Sequence, residues 1–176
     1  MGTFSDDRQP PLDRMLTEAA QQWPDGKFVV AGPQYPSSLR WPSNVERIDH
    51  LPPKMHREFY NSQRFTLNIT RKDMIQAGYS PSVRLFEAAA CGVPIISDYW
   101  KGLESFFTIG TEIYVSDSAC ETLEFIRNTP EELRAAMGRR AMRRVMGAHT
   151  SAHRAEELEA TMEEVMASVE TRAYVA

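Results

Sequence analysis

Apolar positions along this chain fall into short unbroken runs separated by stretches with helical spacing. Lys27-Phe-Val-Val-Ala31, closed by Gly32-Pro33, has the form of a strand buried on both faces of a parallel sheet. Asn44–Ile48, Arg64–Ile69, Pro94–Ser97 and Glu112–Val115 read as further strands. Between them, Leu12, Met15, Leu16, Ala19 and Ala20 recur at helical spacing from Pro11 to Gln22, and Pro52-Pro53 opens a helix to Asn61. Residues 70–80 read as a loop. Ser80 as N-cap and Pro81 as first helical residue predict a helix from Pro81 to Cys91, which Gly92 and Pro94 end. Leu103–Phe107 reads as a helical turn. Asp117 or Ser118 caps a helix to Asn128, and Thr129-Pro130-Glu131 starts another to about Met146. A last helix, about Ser151–Val169, aligns Leu158, Met162, Val165, Met166 and Val169 on one stripe that must pack on something; self-association is expected, through this stripe or through the sheet surface that would face a missing domain.

Strands alternating with helices predict an α/β fold, a parallel sheet flanked by helices. At 176 residues the chain is expected to form a single domain, 1–176. Gly2 opens a loop of strand-to-helix type, so a strand is expected before it. The net charge of −4 points away from nucleic acid. No apolar run approaches the ~20 residues that span a bilayer, and the N-terminus lacks a signal-peptide pattern, so the cytoplasm is the expected location. Cys91 and Cys120 have neither metal nor disulfide spacing, and Cys91 reads as a small buried hydrophobe.

In an open parallel sheet a ligand lies beyond the carboxyl ends of the strands. The loops there carry Arg8, His50, Arg71, Lys72, Tyr79, Ser80, Ser82, Arg84, Glu87, Asp98 and Lys101, a basic rim around few carboxylates that suits a nucleotide diphosphate. The helix tip at Ser82, Val83 and Arg84 offers free amides to phosphate. Glu87, about 9 Å further along the axis, suits sugar hydroxyls. The same i,i+3 spacing also suits an ordinary exposed pair. Arg139, Arg140, Arg143 and Arg144 could grip an anionic surface, although a solvated face is the stronger reading. Asp6-Asp7 reads as a solvated pair rather than a metal site, and His149 and His153 as boundary residues. No dinucleotide or P-loop glycine motif is present.

Arg84-Leu-Phe-Glu-Ala-Ala-Ala-Cys-Gly-Val-Pro-Ile-Ile-Ser97 resembles the signature of the nucleotide-sugar-binding half of group 1 GT-B glycosyltransferases. Gly78-Tyr-Ser-Pro-Ser-Val-Arg84 and Asp98-Tyr-Trp-Lys-Gly-Leu-Glu-Ser-Phe-Phe107 resemble the spore-maturation-type branch. The resemblance implies a Rossmann-like C-terminal half of a GT-B fold, lacking its N-terminal acceptor domain. It implies ribose binding by Glu87, diphosphate contacts near Ser82–Arg84 and base contacts around His50 and Leu51. The family's G-R-x-x-x-x-K loop falls on Gly2, Thr3 and Arg8, with Arg8 in place of the lysine. The family's first glutamate falls on Tyr79, whose hydroxyl can hydrogen-bond a sugar without a carboxylate's charge.

The expected activity is glycosyl transfer from a nucleotide-diphosphate sugar to an acceptor, with no cofactor and no metal. Arg8, Arg84 and Tyr79 are the candidate catalytic residues. Glu87, Ser80, Ser82, Val83, His50, Leu51, Arg71 and Asp98 are the candidate binding residues. Alone, the domain is expected to be nearly inactive. A nucleotide-sugar epimerase and a non-catalytic binding module are the alternatives.

Overall fold

The buried apolar runs become five short strands among the described residues, and every pairing is parallel. The computed structural model describes residues 1–175, with side chains to residue 167. β1 (Phe28–Ala31) pairs with β2 (Val45–Ile48), Phe28 opposite Val45. β4 (Ile95–Ser97) lies between β3 (Thr66–Asn68) and β5 (Tyr114–Val115). The strands are shorter than their apolar runs. The ladders run one residue past the strand ends, as where Phe28 N donates to Asn44 O and Thr66 N to Pro94 O.

Helices cover both faces. On one side α1 (Gln9–Leu12) continues through a π turn into α2 (Glu18–Gln22), and α6 (Ala119–Asn128) packs beside them. Leu12, Met15, Phe28, Val30, Ile96 and Leu123 form one core there. On the other side α5 (Val83–Ala90) and α7 (Glu131–Ala148) join Tyr60, Leu85, Ile95, Trp100, Phe107 and Val145 in a second core. Neighbours Ile95 and Ile96 thus enter opposite cores, the period-2 geometry that makes a doubly covered strand continuously apolar. The fold is α/β with parallel sheets flanked by helices, as the pattern predicts.

Several local expectations need correction. The 70–80 loop contains α4 (Lys72–Ala77), capped from far away: the Asp7 carboxylate accepts Lys72 N at 2.8 Å. Asp7 is therefore a cap and not a solvated residue. α5 begins at Val83, with Ser82 rather than Ser80 at its N-cap. Tyr79 N donates to Lys101 O at 2.7 Å, and Ser82 is extended, with φ −70° and ψ 135°, before the helix starts. Beyond α3 (His56–Asn61) and the elements above, α8 runs Ser151–Val175. Its Leu158, Met162, Val165 and Met166 are 56–62% exposed, so the stripe is not buried against the rest of the chain; Val169 lies outside the residues whose side chains are described. Cys91 is half-buried and Cys120 exposed.

Of the four arginines on α7, Arg140 Nε donates to Thr111 O at 2.8 Å and Arg144 pairs with Glu112 at 3.3 Å. That face clamps the turn before β5. Arg64 ties β3 to the α6–α7 junction, donating to Ile126 O, Thr129 O and Glu131. Hydrogen bonds first from Arg134 and then from Arg64 hold the Glu131 carboxyl down at about 2, below its ordinary 4.5. A depressed carboxylate stabilises the fold above its unfolded pKa and loses that contribution as pH falls through the folded one. Glu131→Gln is expected to flatten the drop in melting temperature between pH 4.5 and about 2, read by thermal melts across that range. Among the described residues no helix is long and apolar enough to cross a membrane.

Candidate functional site

Two backbones pass very close at the carboxyl end of β1. Gly2 N donates to Ala31 O at 2.7 Å, and Phe4 N to Pro33 O at 3.0 Å. Gly32 makes this possible: its φ is +143°, and a Cβ there would sit 2.0 Å from Gly2 O. Gly2 is equally constrained from the other side, since a Cβ on it would lie 2.6 Å from Arg84 Nη2 and 3.3 Å from Arg8 Nη1. The absent side chain lets two guanidiniums close in on one strip of backbone.

Arg84 comes from the first turn of α5. Its Nη1 donates to Asn68 Oδ1 at 3.0 Å, and Arg8 donates to Thr3 O. Burial, and next the charge of Arg8, push the Arg84 pKa down. Among the described residues neither guanidinium has a carboxylate within ion-pair distance. A desolvated cation facing a second cation is unfavourable by itself and is relieved by a bound anion. The start of α5 adds to the same field: the Ser82 side chain makes no cap hydrogen bond, which leaves the first amides at the positive end of the helix dipole.

One turn further along α5, Glu87 is exposed. Its Oε2 accepts from the hydroxyl of Tyr60 at 3.2 Å. Tyr60 is only 1% exposed, and burial followed by the nearby Glu87 charge raises its pKa well above the phenol range. It therefore stays a neutral donor that fixes one carboxylate oxygen and leaves the other for hydroxyl groups. This residue had no signal in the sequence beyond an aromatic at the end of a helix.

Beneath Arg84 lies a buried polar cluster. Asn68 Nδ2 donates to Ser97 Oγ at 2.9 Å and Thr70 Oγ1 at 3.2 Å, which aims Asn68 Oδ1 at Arg84. Asp98, 8% exposed, accepts from Thr70 N at 2.9 Å and Thr70 Oγ1 at 2.7 Å. Burial raises its pKa against those hydrogen bonds. Both Asp98 oxygens are used internally, so its role is to position Thr70 and Asn68 rather than to face a ligand. Asn68, Thr70 and Ser97 escaped the sequence reading because they lie inside or beside apolar strand runs.

The remaining candidates are spread around this centre. His50 is exposed beyond β2, and half-buried Leu51 has its carbonyl 3.3 Å from His56 Nε2. Arg71 turns to Asp7 at 3.8 Å, away from the role of free cation. Tyr79 has φ +49° and is 63% exposed. Its ring lies against Gly102, where an added Cβ would meet Tyr79 Cδ1 at 2.4 Å, and Lys101 Nζ is 5.8 Å from the ring centroid. Ser80 is half-buried. On the opposite side Tyr35 stacks under Arg47 at 4.1 Å, making an aromatic wall the sequence did not single out. Among the described residues no group of three His, Cys, Asp or Glu side chains is placed to hold a metal.

A family model described as "Glycosyl transferase-like" matches residues 8–160. The chain belongs to this family. No curated protein sequence matches it. Among solved structures, the glycosyl transferase-like domain superposes on sucrose-phosphate synthase (tll1590) from Thermosynechococcus elongatus with a TM-score of 0.74 and 14% identity, over 96% of this chain and 45% of that one. Anabaena Alr3699/HepE in complex with UDP-glucose gives a TM-score of 0.61 at 14% identity, over 81% of this chain and 41% of the other. AviGT4, a glycosyltransferase involved in avilamycin A biosynthesis, gives 0.54 at 18% identity, over 82% and 44%. The likeness at these identities is one of fold, a Rossmann-like half of the GT-B type. The domain spans less than half the length of each of these proteins.

Proposed function

We propose that the domain holds the diphosphate of a nucleotide sugar between Arg8, Arg84 and the first amides of α5, and that Glu87 receives the ribose hydroxyls. The observation that carries this reading is the pair of guanidiniums converging on Gly2 without a carboxylate partner among the described residues. The UDP-glucose in the HepE structure supports the choice of ligand. Ser82 and Val83 supply amides, His50 and Leu51 border the base, and Ser80 and Tyr79 stand on the sugar side. As the sugar leaves, negative charge builds on the diphosphate, and preoriented cations stabilise it with no metal required; one such donor is commonly worth about 10²–10³ in rate. Arg71 and Asp98 act through the loops they hold.

In this reading the domain is the C-terminal donor half of a cytoplasmic glycosyltransferase of the spore-maturation-like branch, and a second domain brings the acceptor. Alone it binds donor and turns over little. Calorimetric titration with UDP, GDP, ADP and TDP is expected to give heat with at least one; silence with all four overturns the reading. Glu87→Ala is expected to weaken the nucleotide that binds by about tenfold, one hydrogen-bonded charge, while leaving the affinity for inorganic pyrophosphate unchanged. Tyr60→Phe is expected to reproduce a smaller part of that loss, about threefold. The tyrosine at position 79 favours a second reading, a module that binds the nucleotide sugar without catalysing transfer. Activity of the full-length protein that disappears with Arg84→Met excludes it.

A further inference from the structure

Asn68 holds Arg84 through a single atom, and a chain of hydrogen bonds ending at Asp98 decides which atom that is. The Asp98 carboxylate accepts the Thr70 amide on Oδ2 at 2.9 Å and the Thr70 hydroxyl on Oδ1 at 2.7 Å. The Ser97 hydroxyl turns the same way, to Asp98 O at 2.9 Å and Oδ1 at 3.3 Å. Every group bonded to that carboxylate brings a proton to it, the pattern of an ionised acid, which can only accept. Facing it are Thr70 from beyond the end of β3, and Ser97 and its own backbone amide from β4. Among the described residues no cation pairs with it directly. The charge it reaches is Arg84 on α5, by way of Asn68.

A hydroxyl has one proton to give. With theirs committed to Asp98, Thr70 and Ser97 present only lone pairs to the fully buried Asn68 side chain. Its Nδ2 meets them at 3.2 Å and 2.9 Å. Both amide protons are then spent, and Oδ1 is left for Arg84 Nη1 at 3.0 Å. The opposite orientation would set Oδ1 against two oxygens and an NH₂ group against a guanidinium.

A neutral acid reverses the chain. Thr70 N still occupies one oxygen, so the added proton lies on Oδ1 and is donated to Thr70 Oγ1. Thr70 then gives its own proton to Asn68, which accepts it by turning Oδ1 inward and Nδ2 outward. Arg84 loses its acceptor and meets a donor instead.

We propose that Asp98 is a positioning residue for the nucleotide site: as an anion it sets the hydrogen-bond direction through Thr70, Ser97 and Asn68 that holds Arg84 toward a bound diphosphate, and as a neutral acid it releases Arg84. This rests on the reading of Arg84 as a diphosphate ligand. The relay passes through uncharged groups, so Arg84 keeps its charge for the ligand instead of spending it on an ion pair. Affinity therefore needs the ionised acid and is lost as pH falls through the pKa of Asp98. Burial raises that pKa above its ordinary 3.8, so the release comes at a higher pH than for an exposed aspartate.

The test is a double-mutant cycle on the whole chain, read by calorimetry with UDP, or with whichever of GDP, ADP and TDP the unmodified chain binds. Asp98→Asn keeps the shape of the side chain, but with its oxygen held by Thr70 N its NH₂ must donate to Thr70 Oγ1. It is expected to weaken binding about tenfold in the unmodified chain, the loss of one oriented hydrogen bond to a charged group. In Arg84→Met it is expected to change nothing. Losses of equal size in both backgrounds overturn the proposal, because Asp98 would then only support its loop. A second measurement leaves Asp98 in place. The ratio of the affinities of the unmodified chain and Arg84→Met is expected to shrink as pH is lowered from about 7 toward about 4, since protonation of the nucleotide itself affects both proteins alike. A ratio that stays constant across that range overturns the proposal as well. Silence of the unmodified chain with all four nucleotides removes the diphosphate reading and this proposal together, whereas binding without coupling between Asp98 and Arg84 removes this proposal alone.

Discussion

Arg84→Met is expected to weaken binding of a nucleoside diphosphate by about 100-fold, the loss of one charge-assisted contact to phosphate in a partly desolvated site. The same substitution is expected to leave the melting temperature unchanged or raise it. Arg84 is held in the fold at a cost, since burial and the facing Arg8 both depress its pKa, and a methionine, which keeps the apolar stem and drops the charged head, removes both penalties. Its partner Asn68 keeps its donors to Ser97 and Thr70, while its buried Oδ1 loses the Arg84 donor, a cost that offsets part of the gain. Arg84→Lys preserves the charge but not the planar fork that reaches Asn68 and phosphate together, and an intermediate loss is expected. Calorimetric titration paired with thermal melts checks this. A fall in stability parallel to the fall in affinity contradicts it, because Arg84 would then be a structural residue.

Gly138→Ala is expected to destabilise the domain by about 3 kcal/mol, at the upper end for overpacking, and to lower its melting temperature by about 6–12 °C. A Cβ at Gly138 would sit 2.0 Å from Gly92 O and 3.3 Å from Pro94 Cδ. Both neighbours are backbone or ring atoms of the turn that ends α5, where Gly92 has φ +71°, and neither can swing aside. Gly147 on the same helix meets nothing within 4 Å and is exposed, so Gly147→Ala is expected to stabilise by about 0.5–1 kcal/mol through helix propensity. Opposite signs for one chemical change on one helix separate the contact from the propensity. If both variants melt alike, the close approach of α7 to the Gly92 turn is wrong. The affected turn also sets the end of the helix that carries Arg84 and Glu87, so Gly138→Ala is expected to weaken nucleotide binding as well.

The strands, the parallel arrangement and the Ala-rich helix ending at Gly92 were all readable in the chain. Each is a local pattern: an unbroken apolar run demands two covered faces, and a glycine followed by proline stops a helix wherever it occurs. Glu87 and Arg84 could be picked out for the same reason, being neighbours on one helix. What decides whether they form a site is not local. α4 exists because Asp7, 65 residues upstream, caps it, and the same carboxylate takes Arg71 out of the rim. Asp98 looked like a ligand-facing acid and is spent on Thr70. Tyr60 reaches Glu87 across 27 residues, and Arg8 meets Arg84 only because Gly2 and Gly32 let two backbones touch. Periodicity along the chain reports which residues are covered. Which of them meet is set by packing between distant segments, where burial turns an ordinary charge or hydroxyl into one with a single available partner.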